Sequence, residues 1–277
     1  MEKRFPLGLL PRTARALLGS SKPGRTITAQ RLPDFVYNDA PAIERFVFIC
    51  GLHRSGTTLL ERLLASRFDV ACLRASVPES EGQHMQSVYS AANAFGGAGR
   101  FAFSSEMSAE LERLLADPER CRERITADWN RFVVGESATL LEKSPPNLTK
   151  IQWLRTVFPG ARFVIMTRDP RAASAATLKW SRSSLGELMQ HWDTAYSSAV
   201  AQMREEDCTT IRYEDLCEDQ AGEIARIAAF LDLDERASTG EIEERHQQLV
   251  NSNARYLERH ADTRYGPGVW ERFGYEV

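Results

Sequence analysis

The stretch Phe46-Val-Phe-Ile-Cys-Gly51-Leu-His-Arg54-Ser55-Gly56-Thr57-Thr58-Leu-Leu-Glu-Arg-Leu-Leu64 decides the fold. An unbroken apolar run ends at a glycine, which predicts a buried strand. A turn rich in glycine and hydroxyls follows, and then Leu59, Leu60, Leu63 and Leu64 recur at helical spacing. A strand feeding a helix through such a turn aims several backbone N–H groups and the positive end of the helix dipole at one point. That point, beyond the carboxyl end of the strand, suits a phosphate or sulfate. Thr57 and Thr58 add hydroxyl donors, and Arg54 adds a fixed charge with a planar fork of donors.

The pattern Gly51-x4-Gly56-Thr57-Thr58 is close to the nucleotide-binding loop G-x-x-x-x-G-K-[ST], but Thr57 stands where that motif requires lysine. A nucleotide triphosphatase would lose the ammonium that reaches the outer phosphates. The remainder of the chain must therefore say which anion sits here.

Working outward, Phe68 to Leu73 reads as a short strand, and Ser105 to Val134 as helical with Trp129 and Phe132 at core spacing. Thr139 to Lys143 is a strand stopped by Pro145 and Pro146, which puts Lys143 and Ser144 at its carboxyl end. A helix from Leu148 to Phe158, a strand from Arg162 to Thr167, a helix from Ala172, a helix from Leu185 to Met203, a strand from Cys208 to Tyr213 and a helix from Ala221 to Leu231 follow. Alternation of this kind predicts an α/β fold, a P-loop-like doubly wound parallel sheet with a helical insertion or cap. The expected organisation is an N-terminal arm over residues 1–40 and a single domain over 41–277, with the insertion at about 85–135. Pro11, Pro23, Pro33 and Pro41 interleaved with arginines argue for an arm or loop there, disordered, lying over the body or pairing with a second copy in a homodimer.

Composition narrows the partners. The 277 residues carry 35 Lys and Arg against 38 Asp and Glu, a formal charge of -3, which disfavours nucleic acid as a partner. Any anion site must be built locally. Five cysteines, odd in number and without paired spacing, read as reduced thiols of a cytoplasmic protein and not as a metal site. No apolar run reaches the roughly 18 residues needed for a membrane span.

Four stretches in order, Arg54-Ser-Gly-Thr-Thr-Leu, Glu142-Lys-Ser-Pro with Phe158-Pro159, Arg168-Asp-Pro-Arg and Tyr213-Glu-Asp-Leu, resemble the PAPS-dependent sulfotransferases. The likeness is to bacterial sulfotransferase-family proteins and the tyrosylprotein sulfotransferases. It implies an enzyme that transfers the sulfuryl group of 3′-phosphoadenosine 5′-phosphosulfate (PAPS) to an acceptor hydroxyl, releasing 3′,5′-ADP without a metal. The acceptor class, whether carbohydrate, lipid, peptide or natural product, stays open. By the same resemblance Arg54, Ser55, Gly56, Thr57 and Thr58 cradle the 5′-phosphosulfate, Lys143 stabilises charge on the moving group, and Arg168 binds the 3′-phosphate. The plainer reading of Arg168 is an ion pair with Asp169 or Glu214, and of Lys143 an ion pair with Glu142. Arg264, in a late Arg264-x-Gly-x-Gly-x-Trp270 segment, is a weaker match to a basic loop over the 3′-phosphate.

Two positions depart from the family pattern. The serine eight residues after the 3′-phosphate arginine is Ala176 here, leaving Ser174, the preferred candidate, or Thr177 to complete that site. The histidine of an E-K-[ST]-P-x-H arrangement is replaced by Asn147, so the general base must come from elsewhere. The segment Pro78-Glu79-Ser80-Glu81-Gly82-Gln83-His84 offers Glu81 and His84, with His84 preferred for its near-neutral ordinary pKa. His53 is a third candidate, while His191 and His246 read as surface residues and His260 carries no separate signal. The competing functions are a P-loop kinase or phosphotransferase, which needs a loop lysine and a magnesium-binding acid, and a nucleotide-binding protein that has lost its base.

Overall fold

The computed structural model describes residues 41–237, 249–258 and 264–277. The arm expected over residues 1–40, together with His246 and His260, lies outside the described residues. The strands are β1 Arg45–Cys50, β2 Ala71–Leu73, β3 Val133–Val134, β4 Thr139–Lys143, β5 Arg162–Thr167 and β6 Cys208–Arg212. They form one sheet in the order β3-β2-β4-β1-β5-β6. All pairs are parallel except β2 with β3. β1 therefore lies between β4 and β5, and the loops leaving all three converge at one edge, where open parallel sheets bind ligands.

The period-2 alternation of β1 is buried on both faces. Phe48 packs into an aromatic cluster with Trp129, Phe158 and Phe163, whereas Val47 and Ile49 face Leu60, Leu63, Leu64 and Ile227. On the second face lie helices α1 (Thr57–Arg67) and α8 (Gln220–Leu231), and Leu60, Leu63 and Leu64 of α1 are fully buried. The aromatic face is covered by α3 (Pro118–Trp129), α4 (Ile151–Val157) and α6 (Leu185–Gln202). Helix α5 (Pro170–Thr177) starts sharply because Asp169 accepts the N–H groups of Arg171 and Ala172 and Pro170 occupies the first turn. α6 carries a reciprocal capping box between Ser184 and Glu187.

The expected parallel sheet is present, but the insertion is less helical than its pattern implied. Only α2 (Ser105–Leu114) and α3 are α-helical, and residues 75–103 run through turns and single 3-10 turns. Gly96, Gly97 and Gly99, all with positive φ, break that segment. Its end, Val133–Val134, pairs antiparallel with β2, a two-residue strand too short to show alternation. A second correction concerns His191, which is 2% exposed and not a surface residue. α6 runs through the core with Leu188, Trp192 and Tyr196 on the same side, so the His191 ring is enclosed edge-on by Phe101 and Phe103. Its Nε2 accepts the Ala102 N–H at 3.3 Å.

The loop after β1 depends on one close approach. A Cβ on Gly51 would stand 2.6 Å from the Met166 carbonyl oxygen of β5. Gly51→Ala is expected to cost about 2 kcal/mol or more, because backbone and not a flexible side chain must give way. Urea unfolding of the variant should show a lower midpoint with an unchanged slope.

Candidate anion-binding and transfer site

The turn between β1 and α1 is built to expose its donors. Gly56, with φ 103°, caps α1 in a left-handed conformation, and no side chain caps the first N–H groups of the helix. Those orphan donors and the helix dipole face the same point. Arg54 holds φ 70°, an uncommon conformation for a non-glycine residue, and its guanidinium lies 4.8 Å from the Trp180 ring centroid. The loop is fastened from behind by Tyr196, whose hydroxyl donates to the Met166 carbonyl at 2.7 Å and accepts the Leu52 N–H at 3.4 Å.

In front of the loop opens a cleft of about 320 Å³, lined by residues that include His53, Arg54, Gly56, Thr57, Thr58, Glu79, Glu81, Arg168, Trp180 and Tyr213. Ser55 of the loop is fully buried, its hydroxyl 3.5 Å from that of Tyr196. Lys143, at the end of β4, is buried directly behind the acidic wall. Its ammonium donates to the Glu79 carbonyl at 2.9 Å and stands 3.8 Å from Glu81 Oε1. Glu142, the alternative partner for Lys143, is engaged instead by Gly82, Ser144 and Asn147.

Arg168 is 5% exposed at the end of β5. Its guanidinium donates to the Arg54 carbonyl at 2.8 Å, Asn253 Oδ1 at 2.8 Å and Ser252 Oγ at 3.0 Å, and stacks 4.4 Å from the Tyr213 ring centroid. The ion pairs suggested for it do not form. Asp169 binds Arg171 at 2.8 Å, and Glu214 accepts the Asp169 N–H, the Asn253 amide and the Tyr275 hydroxyl. Among the described residues, Arg168 has neutral acceptors and no carboxylate partner. The Tyr213-Glu-Asp-Leu motif follows directly on the edge strand β6 and supplies a cleft wall and the carboxylate that holds the Arg168 frame.

The candidates for base separate in space. Glu81 is 6% exposed and lines the cleft, and burial pushes its carboxyl above the ordinary range although Lys143 opposes the shift. His84, the preferred candidate from sequence, stands outside the cleft lining with Nε2 3.8 Å from Glu81 Oε2. Burial and then Lys143 and Lys150 lower its pKa, so the ring is neutral at pH 7. His53 lines the cleft, but burial drives its pKa down to about 4. It is neutral at pH 7 and far too weak a base there to hold a proton.

Ser174 and Thr177 are not brought to the Arg168 cleft. Both sit on α5 and line a different, small pocket with His53, His191 and Trp192. The Thr177 hydroxyl is taken by the Ala173 carbonyl one helical turn back, at 2.8 Å. The chain instead supplies Ser252, Asn253 and Tyr213 around Arg168; Tyr213 heads the Tyr213-Glu-Asp-Leu motif, whereas no local motif marked Ser252 and Asn253, which arrive 84 and 85 positions later. Arg264 is exposed and does not line the cleft. Trp270, which ends the same segment, is instead a core residue packed on Trp192.

A mostly parallel sheet with an uncapped helix N-terminus and a buried arginine at one cleft, and a buried lysine against the acidic wall of that cleft, defines an α/β domain with a site suited to an anionic ligand. The family-model comparison is specific: the sulfotransferase family model matches residues 47–237. The chain belongs to the sulfotransferase family. Protein-tyrosine sulfotransferase A of Caenorhabditis elegans is 24% identical over 226 residues, covering 77% of this chain and 55% of that protein. Protein-tyrosine sulfotransferase 1 of Danio rerio is 27% identical over 195 residues, covering 66% and 50%. The chain thus spans about half the length of the curated relatives it matches. The solved sulfotransferase domain of the Synechococcus PCC 7002 olefin synthase superposes with a TM-score of 0.51 at 19% identity, over 87% of this chain and 98% of that one. That likeness confirms the fold.

The buried histidines carry a pH consequence. His191 falls to about 3 through burial and the nearby His53, against an ordinary value of 6.5. A histidine with a depressed folded-state pKa lets the unfolded chain bind the proton first, so stability falls as pH drops below about 6.5. For His191 the loss reaches about 3 kcal/mol at pH 4. Urea midpoints at pH 7 and pH 4.5 should therefore fall further for the wild type than for His191→Gln.

Proposed function

We propose that this protein moves the sulfuryl group from PAPS to an acceptor hydroxyl in one in-line displacement, releasing 3′,5′-ADP. The observation that supports the reading best is the convergence of the uncapped α1 terminus, Arg54 and Arg168 around one cleft whose loop lacks the triphosphatase lysine, with Lys143 held against the Glu79 carbonyl and Glu81 of its wall. The loop N–H groups, Thr57, Thr58 and Arg54 hold the 5′-phosphosulfate. Lys143, released from the Glu79 carbonyl, faces the bridging oxygen. As the acceptor oxygen bonds to sulfur, the S–O bond to the 5′-phosphate breaks and its electron pair stays on that phosphate. Fixed cations at this point lower the barrier. The hydroxyl proton passes to Glu81, the candidate carboxylate that lines the cleft.

Arg168 is the expected 3′-phosphate ligand, because its cation is desolvated, lacks a carboxylate among the described residues and is held by neutral groups that a phosphate can replace. A kinase reading finds no loop lysine at Thr57 and, among the described residues, no cluster of acids able to hold a metal. All five cysteines are free, four of them buried, and among the described residues no helix is long and apolar enough to cross a membrane. Reduced thiols support a cytoplasmic location. The acceptor is a hydroxyl compound of a class still to be assigned.

Calorimetry should show 3′,5′-ADP binding at least tenfold tighter than 5′-AMP, and equal affinities would overturn the assignment. Arg168→Ala should weaken 3′,5′-ADP by about 10- to 100-fold, the range of one charge-assisted pair, while Lys143→Ala should abolish transfer with donor affinity nearly intact. Transfer should fall about 100-fold or more in Glu81→Gln and only a few-fold in His84→Gln. Because the carboxyl of Glu81 is raised, activity should decline as pH falls through its pKa and hold above it.

A further inference from the structure

Glu142 is 2% exposed, lies on β4 beside Phe48 of β1, and does not line the cleft. Its carboxylate nevertheless gathers three donors: the Gly82 N–H at 2.9 Å, the Ser144 hydroxyl at 2.5 Å and the Asn147 amide. Ser144 extends the reach by accepting the Gln83 N–H at 3.2 Å. Two successive peptide groups of the Glu81–His84 turn are thus tied to the segment that carries Lys143. The turn is also held from its other side, where Trp129 Nε1 donates to the Gly82 carbonyl at 3.0 Å. Contact is so close that a Cβ on Gly82 would stand 2.6 Å from Glu142 Oε1. The anchor is a carboxylate, although a neutral amide could accept the same N–H, and a buried charge is costly unless several donors meet it.

We propose that Glu142 is the positioning residue of the transfer site, an anionic anchor that fixes the Glu81 turn against Lys143. Held close by the turn, its charge also raises the carboxyl of Glu81, a smaller effect than burial, Lys143 or the Gln83 hydrogen bond. The inference rests on the reading of Glu81 as proton acceptor. It also explains the departure at Asn147. Where a histidine base would stand, the chain places an amide that holds Glu142, and the task of proton acceptance moves to the turn that Glu142 anchors. The charged groups around Glu81 are Lys143 and Glu142 from β4, Glu79 and His84 from its own turn, and Arg54 and His53 across the cleft. Of these, Glu142 accepts a backbone N–H of the turn, at Gly82, while Lys143 donates to the Glu79 carbonyl.

The test uses the full chain carrying glutamate labelled with ¹³C at the carboxyl carbon, with the Glu81 signal assigned from Glu81→Gln. In Glu142→Gln a negative charge near Glu81 is removed while an acceptor for Gly82 is retained. The Glu81 titration midpoint should move to lower pH, 3′,5′-ADP affinity should stay within twofold, and formation of 3′,5′-ADP from PAPS with water as acceptor should fall at least tenfold. The acid limb of that rate should move down with the midpoint. Ser144→Ala, which loosens the turn and keeps the charge, should reduce the rate and leave the midpoint in place. An unmoved midpoint in Glu142→Gln, or a parallel loss of 3′,5′-ADP affinity, overturns the proposal. Should Glu142→Gln fail to fold, Gly82→Ala displaces the turn with the carboxylate intact, and an unchanged rate in that variant is the overturning result. A midpoint that shifts in a protein forming no 3′,5′-ADP in wild-type form keeps the anchor and removes the sulfuryl-transfer reading instead.

Discussion

The hydroxyl of Tyr196 is the fastening on which the anion loop depends. It donates to Met166 at the end of β5 and accepts the N–H of Leu52, so one side chain from α6 ties the first loop to the neighbouring strand. Gly51 lets the two backbones come close enough for this, since any Cβ would meet the Met166 carbonyl. Burial holds the Tyr196 phenol far above its ordinary pKa, which keeps it a donor at any pH the protein meets. With the loop held, the first N–H groups of α1 have no other use than to face an anion.

Much of the fold was legible because the physics there is local. Apolar runs such as Phe46 to Cys50 and Arg162 to Thr167, broken by glycine or proline and followed by helical periodicity, admit few arrangements other than parallel strands with crossover helices. The positions of the loop after β1, of Lys143 and of Arg168 were legible for the same reason, each standing where a strand ends. His191 was misjudged because a polar residue on an amphipathic helix looks exposed until the neighbours of that face are known. Ser174 and Thr177 were misplaced because a helix turns its face by about 100° per residue, so proximity in sequence to Arg168 does not give proximity in the cleft. Ser252, Asn253 and Glu142 could not be found locally, because their roles come from contacts across the sheet or from distant parts of the chain.

The site also shows how buried acids and cations share a small volume. Lys143 is neutralised in part by Glu81 and the Glu79 carbonyl, and Glu142 is satisfied by amides and a hydroxyl. Arg168 meets neutral groups alone among the described residues. Desolvation raises the carboxyl of Glu81, whereas it lowers the imidazoles of His53 and His84. One burial effect therefore makes the acid a better proton acceptor and the two rings poorer ones.

The three bonds made by Arg168 have a meaning for selectivity. An anion arriving at this guanidinium must displace Ser252, Asn253 and the Arg54 carbonyl, so the charge-assisted bonds it makes are partly offset by the neutral ones it breaks. A longer ligand that is already seated on the loop pays for the exchange with contacts made elsewhere. The three neutral acceptors of Arg168 thus favour an anion tethered to a larger ligand over the same anion alone.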